Sequence, residues 1–416
     1  MRLIALHSIM GRHNMNLKRH YLLVLFLTMA WGNLISQAVD TWPVVLKLPG
    51  MDDVPITHTT YKSIDKTELR MDVYYPSDFD HKIRLPAVII HNCVSMENPD
   101  LKGIQDWGRL IAVSGMIGIT HQSRFFEAED THDLVDYLRV HADELGIDAE
   151  HLGILTTSGN GLVGMPLAMD KDRTYIRCAA VYYTMPDPDD VEPLKPLRQD
   201  ISLFIVRCGL DEFRANRNID HFIPMALDAD VDLELINYLE GHHAFDIVDD
   251  NDRSRDIIRK TLDFFKNHLF ETGKQKPSFT FTAKNFYALL DDGYIEEAKK
   301  RFSRKVEEMR GDTVGNPFYH REIVDRGLSL TARQFIQSGK TDVAVEVIHL
   351  MLESYPESPM AHINAADAFY ACGKISLATQ TAERAIVLIE ESNQLNPDQK
   401  EALRKNVLAK MKGWKK

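Results

Sequence analysis

Four short, predominantly apolar runs mark the first two thirds of the chain, at residues 85–91, 152–155, 201–206 and 233–239. Short runs of this kind, bounded by turn signals, are the pattern of strands in a parallel sheet. Helix-compatible segments fall at 102–114, 131–145, 162–169 and 254–269. Strand and helix patterns that alternate in this way predict βαβ units and a mostly parallel sheet flanked by helices, an α/β domain over about 55–270. After a polar link at 271–277 (Glu-Thr-Gly-Lys-Gln-Lys-Pro) the pattern becomes helical throughout, which predicts a second, all-α domain over 278–416.

The polar residues at the ends of the apolar runs carry the candidate chemistry. The run at 152–155 leads into Thr156-Thr157-Ser158-Gly159-Asn160-Gly161, the run at 201–206 into Arg207-Cys208-Gly209-Leu210-Asp211-Glu212, and the run at 233–239 into Glu240-Gly241-His242-His243-Ala244-Phe245. Ser-Gly-Asn-Gly alone is also an ordinary turn. A Ser pinched between strand and helix is nonetheless how a nucleophile elbow reads, with the following N–H and the helix N-terminus facing the same spot. The order strand-Ser, strand-Asp, strand-His places all three groups at one edge of a parallel sheet, where ligands bind.

This ordered set resembles an α/β-hydrolase of the dienelactone hydrolase or carboxylesterase type, over about 61–269. The matching pieces are residues 85–91 (Leu-Pro-Ala-Val-Ile-Ile-His), Leu145-Gly146-Ile147-Asp148, Gly209-Leu210-Asp211 and Gly241-His242-His243-Ala244-Phe245. The resemblance implies Ser158 as nucleophile, Asp211 as triad acid and His243, rather than its neighbour His242, as base. Glu212 and Asp220 are rivals for the acid. The oxyanion hole would be built from the backbone N–H of Gly159 with that of Asn92 or Cys93. No cofactor is implied, and the remaining His and Asp residues lack a spacing such as His-Glu-x-x-His, so no metal site is expected.

Three departures bear on this reading. Thr156 and Asn160 stand where the elbow commonly has Gly, and His91-Asn92-Cys93 stands where esterases often show His-Gly-Gly. A catalytically degenerate hydrolase fold, serving with the helical domain as a scaffold, is the alternative these positions favour; peptidase chemistry shares the triad but usually comes with a propeller or lid. His91 is expected to be structural, Arg124 to pair with a loop acid, and the acidic run 246–256 to be a solvated face.

In the helical part, Leu328, Ala332, Phe335, Gly339, Ala344 and Pro356 fall where tetratricopeptide repeats carry their packing residues. His362, Ala366, Phe369, Gly373 and Ala378 follow at a spacing of 34, with Ala385 beyond. Phe286-Tyr287, Gly293, Ala298 and Phe302 suggest an irregular further copy, and a basic helix at 397–412 a cap. The segment resembles a short tetratricopeptide-like array, which implies a peptide or protein partner or packing against a neighbouring domain.

At the N-terminus, Lys18-Arg19-His20 precedes an apolar stretch at 21–31 and Ser36-Gln37-Ala38, the layout of a cleaved signal peptide over 1–38. Export to the periplasm or the outside is the expectation, with no stable membrane insertion after cleavage. The whole chain carries 49 basic and 61 acidic residues; residues 1–38 hold four basic and no acidic ones, so the remainder has a balance of −16. That charge argues against nucleic acid as a partner and leaves a small-molecule or glycan-linked ester as the expected substrate. The strand order of the family would put Cys93 and Cys208 three strands apart, roughly 14 Å at the usual strand spacing. That separation exceeds what a disulfide spans, so all four cysteines are expected to be free thiols.

Overall fold

A computed structural model describes residues 42–80, 82–91, 101–124, 127–191, 194–270, 282–311, 321–393 and 395–414. The expected signal peptide, Asn92, Cys93 and the link at 271–277 lie outside the described residues. The chain divides into two compact units, Met1–Thr280 and Phe281–Lys416.

The first unit is built on eight strands: β1 (Ile56–Ile64), β2 (Thr67–Tyr74), β3 (Leu85–His91), β4 (Ile117–His121), β5 (Ile147–Thr157), β6 (Ile176–Tyr182), β7 (Ser202–Cys208) and β8 (Asp232–Tyr238). Four longer helices lie between strands, α1 (Lys102–Val113), α2 (Ala128–Val140), α3 (Gly161–Met169) and α4 (Phe213–Asp228), and α5 (Asp252–Leu269) follows β8. The sheet order is β1-β2-β4-β3-β5-β6-β7-β8. Only β2 runs against its neighbours; β4, β3 and β5 to β8 pair in parallel. This is the α/β-hydrolase fold class that the order of motifs implied.

The apolar runs explain the layering. Along β3, Ala87 and Ile89 face one core while Val88 and Ile90 face the other, and Leu203 and Ile205 alternate with Phe204 and Val206 in β7 in the same way. One core takes Leu134 and Leu138 of α2, Met165 of α3 and Phe222 of α4. The opposite core takes Trp107 and Ile111 of α1 and Ile257 and Phe265 of α5. Full burial of a side chain such as Phe265 is worth about 1.5–3 kcal/mol, and a two-faced core is what makes the strand centres wholly apolar.

The helix expected at 131–145 is two elements: α2 ends at Val140, and a single turn, Ala142–Leu145, closes on Gly146 at φ 67. The hairpin β1–β2 has no counterpart among the four runs, because β1 is an edge strand with one face largely in water and its Ile56–Ile64 pattern is polar. Cys178, Cys208 and Cys372 are free thiols. The strands ending at His91 and Cys208 do stand three places apart in the sheet.

The second unit comprises α6 (Ala283–Asp291), α7 (Ile295–Gly311), α8 (Arg321–Gln337), α9 (Thr341–Ser354), α10 (Pro359–Ala371), α11 (Ile375–Glu391) and α12 (Pro397–Trp414). Gly293, Gly339 and Gly373 sit in the turns after α6, α8 and α10 at φ 85, 78 and 73. No atom lies within 4 Å of a Cβ built at any of them, so left-handed backbone, not space, requires glycine. Leu328, Ala332, Phe335 and Ala344 are buried, as are Ala366, Phe369 and Ala378 at the same places 34 residues on. Helix α12 buries fully only Val407, with Trp414 stacked on Tyr370.

No described helix is long and apolar enough to cross a membrane.

Candidate active site

Ser158 follows the last residue of β5 at φ 51, left-handed backbone that a residue with a Cβ rarely adopts. A 3-10 turn, Ser158–Asn160, then feeds directly into α3. The turn swings the hydroxyl away from the sheet, and Ser158 Oγ lies 2.8 Å from His243 Nε2. His243 Nδ1 lies 2.8 Å from Asp211 Oδ1, which also accepts a hydrogen bond from the Glu212 N–H at 2.6 Å. The Asp211 carboxyl is fully buried and the His243 ring half-exposed. The three sequence-predicted groups are thus joined in one hydrogen-bonded chain at the C-terminal edge of the sheet.

The rivals fall elsewhere. Asp220 is held by Arg207 through two contacts at 2.6 and 3.0 Å. Exposed Glu212 contributes its N–H to Asp211 rather than a carboxylate to His243. His242 turns to Asp249, which receives its N–H and lies 2.8 Å from its Nδ1. Arg124 grips Asp130 with Nε and a terminal nitrogen at 2.9 and 2.8 Å; it pairs with an acid as expected, but with a buried one in the first turn of α2 and not in a loop. Lys62 shares that carboxylate at 2.7 Å. Burial alone would raise the Asp130 carboxyl, but the bonds from Arg124 and Lys62 outweigh it and hold it at about 2.

Gly159 sits in the turn directly after Ser158, so its N–H is the one oxyanion donor of the expected set that lies among the described residues. Asn92 and Cys93 follow His91, the last residue of β3, whose neighbour in the sheet is β5. Among the described residues no group of three or more His, Cys, Asp or Glu side chains is arranged to hold a metal ion.

At Thr156 the missing elbow glycine is compensated from α3. A Cβ at Gly164 would stand 2.6 Å from Thr156 Oγ1 and 2.8 Å from its Cβ, so the space Thr156 occupies is space Gly164 leaves open. A Cβ at Gly161 would likewise meet Thr184 at 2.4 Å. Asn160 is buried, and His91 Nδ1 lies 3.2 Å from its carbonyl oxygen, tying the elbow to the end of β3. We expect Gly164→Ala to cost about 1–3 kcal/mol of stability through overpacking, despite the gain alanine usually brings to a helix. Thr156→Gly combined with Gly164→Ala should recover most of it. Urea unfolding of wild type, Gly164→Ala, Thr156→Gly and the double variant reads this coupling; a Gly164→Ala variant as stable as wild type would refute it.

Sequence reading missed what lies behind His243. The acidic run 246–256 is not a solvated face at its start: Asp246 is wholly buried, while Asp250 and Asp252 are exposed. Trp107 Nε1 and the Tyr183 hydroxyl each donate to its carboxylate at 2.8 Å. The residues between it and His243 are Ala244, at φ 60, and buried Phe245, which turn the chain inward. Burial raises the Asp246 carboxyl, against the pull of its two donors. No periodicity marks this aspartate, since its partners come from distant segments. Also missed was a buried pair of imidazoles: His91 stacks on His121 with ring centroids 5.4 Å apart.

No family model matches the chain, and no curated protein does. Solved structures similar to it include esterase 2 of Thermogutta terrifontis phosphoramylated by tabun, at 17% identity over 56% of this chain and 98% of that one, TM-score 0.42. A thermostable esterase from Pseudomonas putida is 12% identical over 57% of this chain and 88% of its own, TM-score 0.47. Porphyromonas gingivalis dipeptidyl peptidase 4 is 15% identical over 52% and 36%, TM-score 0.42. These are remote likenesses, and they carry no reaction across to this chain.

Proposed function

We propose that the protein is an exported serine hydrolase that cleaves carboxylic esters through an acyl-enzyme. The observation that supports this most directly is the chain Ser158 Oγ–His243 Nε2 and His243 Nδ1–Asp211 Oδ1, both links at 2.8 Å. In this reading His243 takes the Ser158 proton as the hydroxyl attacks the acyl carbonyl, and returns it to the leaving alcohol. Asp211 holds the tautomer that leaves Nε2 free to accept, and faces the imidazolium that forms. The Gly159 N–H meets the developing oxyanion. Water then enters where the alcohol left, gives its proton to His243 and releases the acid.

The substrates in this reading are small or glycan-linked esters, with acyl and alcohol parts held by loops such as 182–197. Export rests on the basic and apolar pattern of residues 1–38. The helical unit, read as tetratricopeptide-like, would bind a peptide or protein partner; the recurrence of buried positions 34 residues apart favours that reading.

The test is labelling of the mature protein with a fluorophosphonate. One serine per chain should react, and digestion should place the adduct on Ser158. A folded protein that takes up no label would sink the proposal in favour of a non-catalytic scaffold.

A further inference from the structure

His243 needs more than its two hydrogen bonds to stay in line with Ser158. Asp211 and Ser158 each meet one of its nitrogens, but hydrogen bonds tolerate small concerted changes of χ1 and χ2 that would move Nε2 off the Ser158 hydroxyl. A packed aromatic neighbour narrows that range. Tyr183 supplies one: its ring lies 4.7 Å from the imidazole, centroid to centroid, at 54°.

Tyr183 is itself held with unusual firmness. It is buried, it follows β6 at φ 43, and its hydroxyl is committed to Asp246. Of the five non-glycine residues with positive φ among those described, three are Ser158, Tyr183 and Ala244. Strain gathered in this way persists only where the surroundings enforce it, and it marks working parts of a site. Asp246 is the enforcing group. Its side chain joins Tyr183 to Trp107 of α1, and its carbonyl oxygen accepts a hydrogen bond from the Val45 N–H at 2.8 Å.

A buried carboxylate is a costly way to tie two neutral donors together, since its charge loses water without gaining a permanent cation. The titratable groups that sense Asp246 are Tyr182, Tyr183, Cys208 and His243. Burial pushes both tyrosines and the thiol up, so all three stay neutral near pH 7. Asp211 meets His243 through its own hydrogen bond. His243 is therefore the one group of the four whose charge changes during the proposed reaction, and Asp246 stands three residues from it on the same loop.

We propose that Trp107, Asp246 and Tyr183 form a positioning assembly for His243, in which the buried carboxylate pins the tyrosine whose ring holds the imidazole in line with Ser158. The proposal rests on the reading of Ser158 and His243 as nucleophile and base. These three are positioning residues, acting on the reaction through His243.

The experiment compares wild type with Tyr183→Phe, Asp246→Asn, their combination and Trp107→Phe on p-nitrophenyl acetate. Active serines are titrated by fluorophosphonate, so that kcat is expressed per reactive site and misfolded protein drops out. Tyr183→Phe keeps the ring and loses only the hydroxyl; we expect kcat per site to fall about tenfold with KM within about twofold. Asp246→Asn should lose at least as much. The double variant should be no worse than the poorer single one, because both act through one contact. Trp107→Phe, which removes one donor at the far end, should show a smaller loss of the same kind. Unchanged kcat per titrated site in Tyr183→Phe and Asp246→Asn, with thermal stability alone reduced, would overturn the assembly while leaving the hydrolase reading intact. A wild type that neither titrates nor hydrolyses the ester would overturn both.

Discussion

Ser158→Ala should abolish ester hydrolysis: we expect kcat on p-nitrophenyl acetate to fall by about 10⁴–10⁶, the range seen when a triad nucleophile is removed from other hydrolases. Among the described residues the hydroxyl meets His243 alone, at 2.8 Å, so the change removes chemistry without removing packing. His243→Ala should do comparable damage. Asp211→Asn is more diagnostic, because it preserves shape. The buried carboxyl takes both the His243 Nδ1 contact and the Glu212 N–H on one oxygen. An amide there can offer its own N–H to Nδ1, which stabilises the tautomer whose Nε2 carries the proton and cannot accept one from Ser158. A loss of about 10⁴ in kcat with little change in KM is expected on the precedent of such replacements elsewhere. Residual activity within about tenfold of wild type in Asp211→Asn would mean that a group other than Asp211 orients the base.

The second large effect concerns stability in mild acid. His91 and His121 are buried and stacked, and burial is the main reason their imidazoles are held down, to about 3 and about 4. For His91 the neighbouring His121 adds to the depression. In the unfolded chain each protonates near its ordinary value of about 6.5. The folded state therefore binds fewer protons than the unfolded one throughout the interval between. Stability from keeping the rings neutral is fully present above about pH 6.5 and is lost as pH falls toward the depressed values. Each ring contributes about 1.4 kcal/mol per pH unit in that window, so the pair should cost the first unit about 4 kcal/mol by pH 5. Asp130 acts lower: its stabilisation is present above the ordinary carboxylate range and fades only as pH falls toward about 2.

Urea unfolding at pH 7, 6 and 5 reads this directly. His121 offers a clean comparison, since its Nε2 is buried with no hydrogen-bond partner among the described residues. The Gln122 carbonyl that faces its Nδ1 already accepts from the Tyr61 hydroxyl. His121→Phe should fold at pH 7 and lose about 2 kcal/mol less than wild type between pH 7 and pH 5. Equal losses in the two proteins would show that other groups carry the acid sensitivity.

Much of the molecule could be read from one dimension. Apolar runs with no polar alternation place strands with two buried faces, because each pleat must satisfy a core on either side, and β3, the 152–155 stretch of β5 and β7 follow. The run at 233–239 also forms a strand, β8, but at the sheet edge, where only Tyr238 of Asp232–Tyr238 is buried. The order Ser158, Asp211, His243 was legible because each group lies in the segment just past a strand, and parallel strands bring their C-terminal ends to one edge. Gly339 and Gly373 were legible for a similar reason: a left-handed turn must recur wherever the helical unit does.

What the sequence could not decide depends on contacts between distant segments. Thr156 looks like a defect in the elbow until α3 is laid over it and Gly164 is found opposite. Asp246 looks like the first of a row of surface acids until Trp107, 139 positions earlier, and Tyr183, 63 earlier, are brought around it. His91 and His121 lie on two adjacent strands, and nothing in either strand alone announces that the rings will stack out of reach of water. Spacing along the chain determined the fold class and the order of the candidate catalytic groups, because those follow from local hydrogen bonding and periodicity. Tertiary structure alone decided which polar side chains are stripped of solvent, and that fixes the charge each carries and the partner it holds.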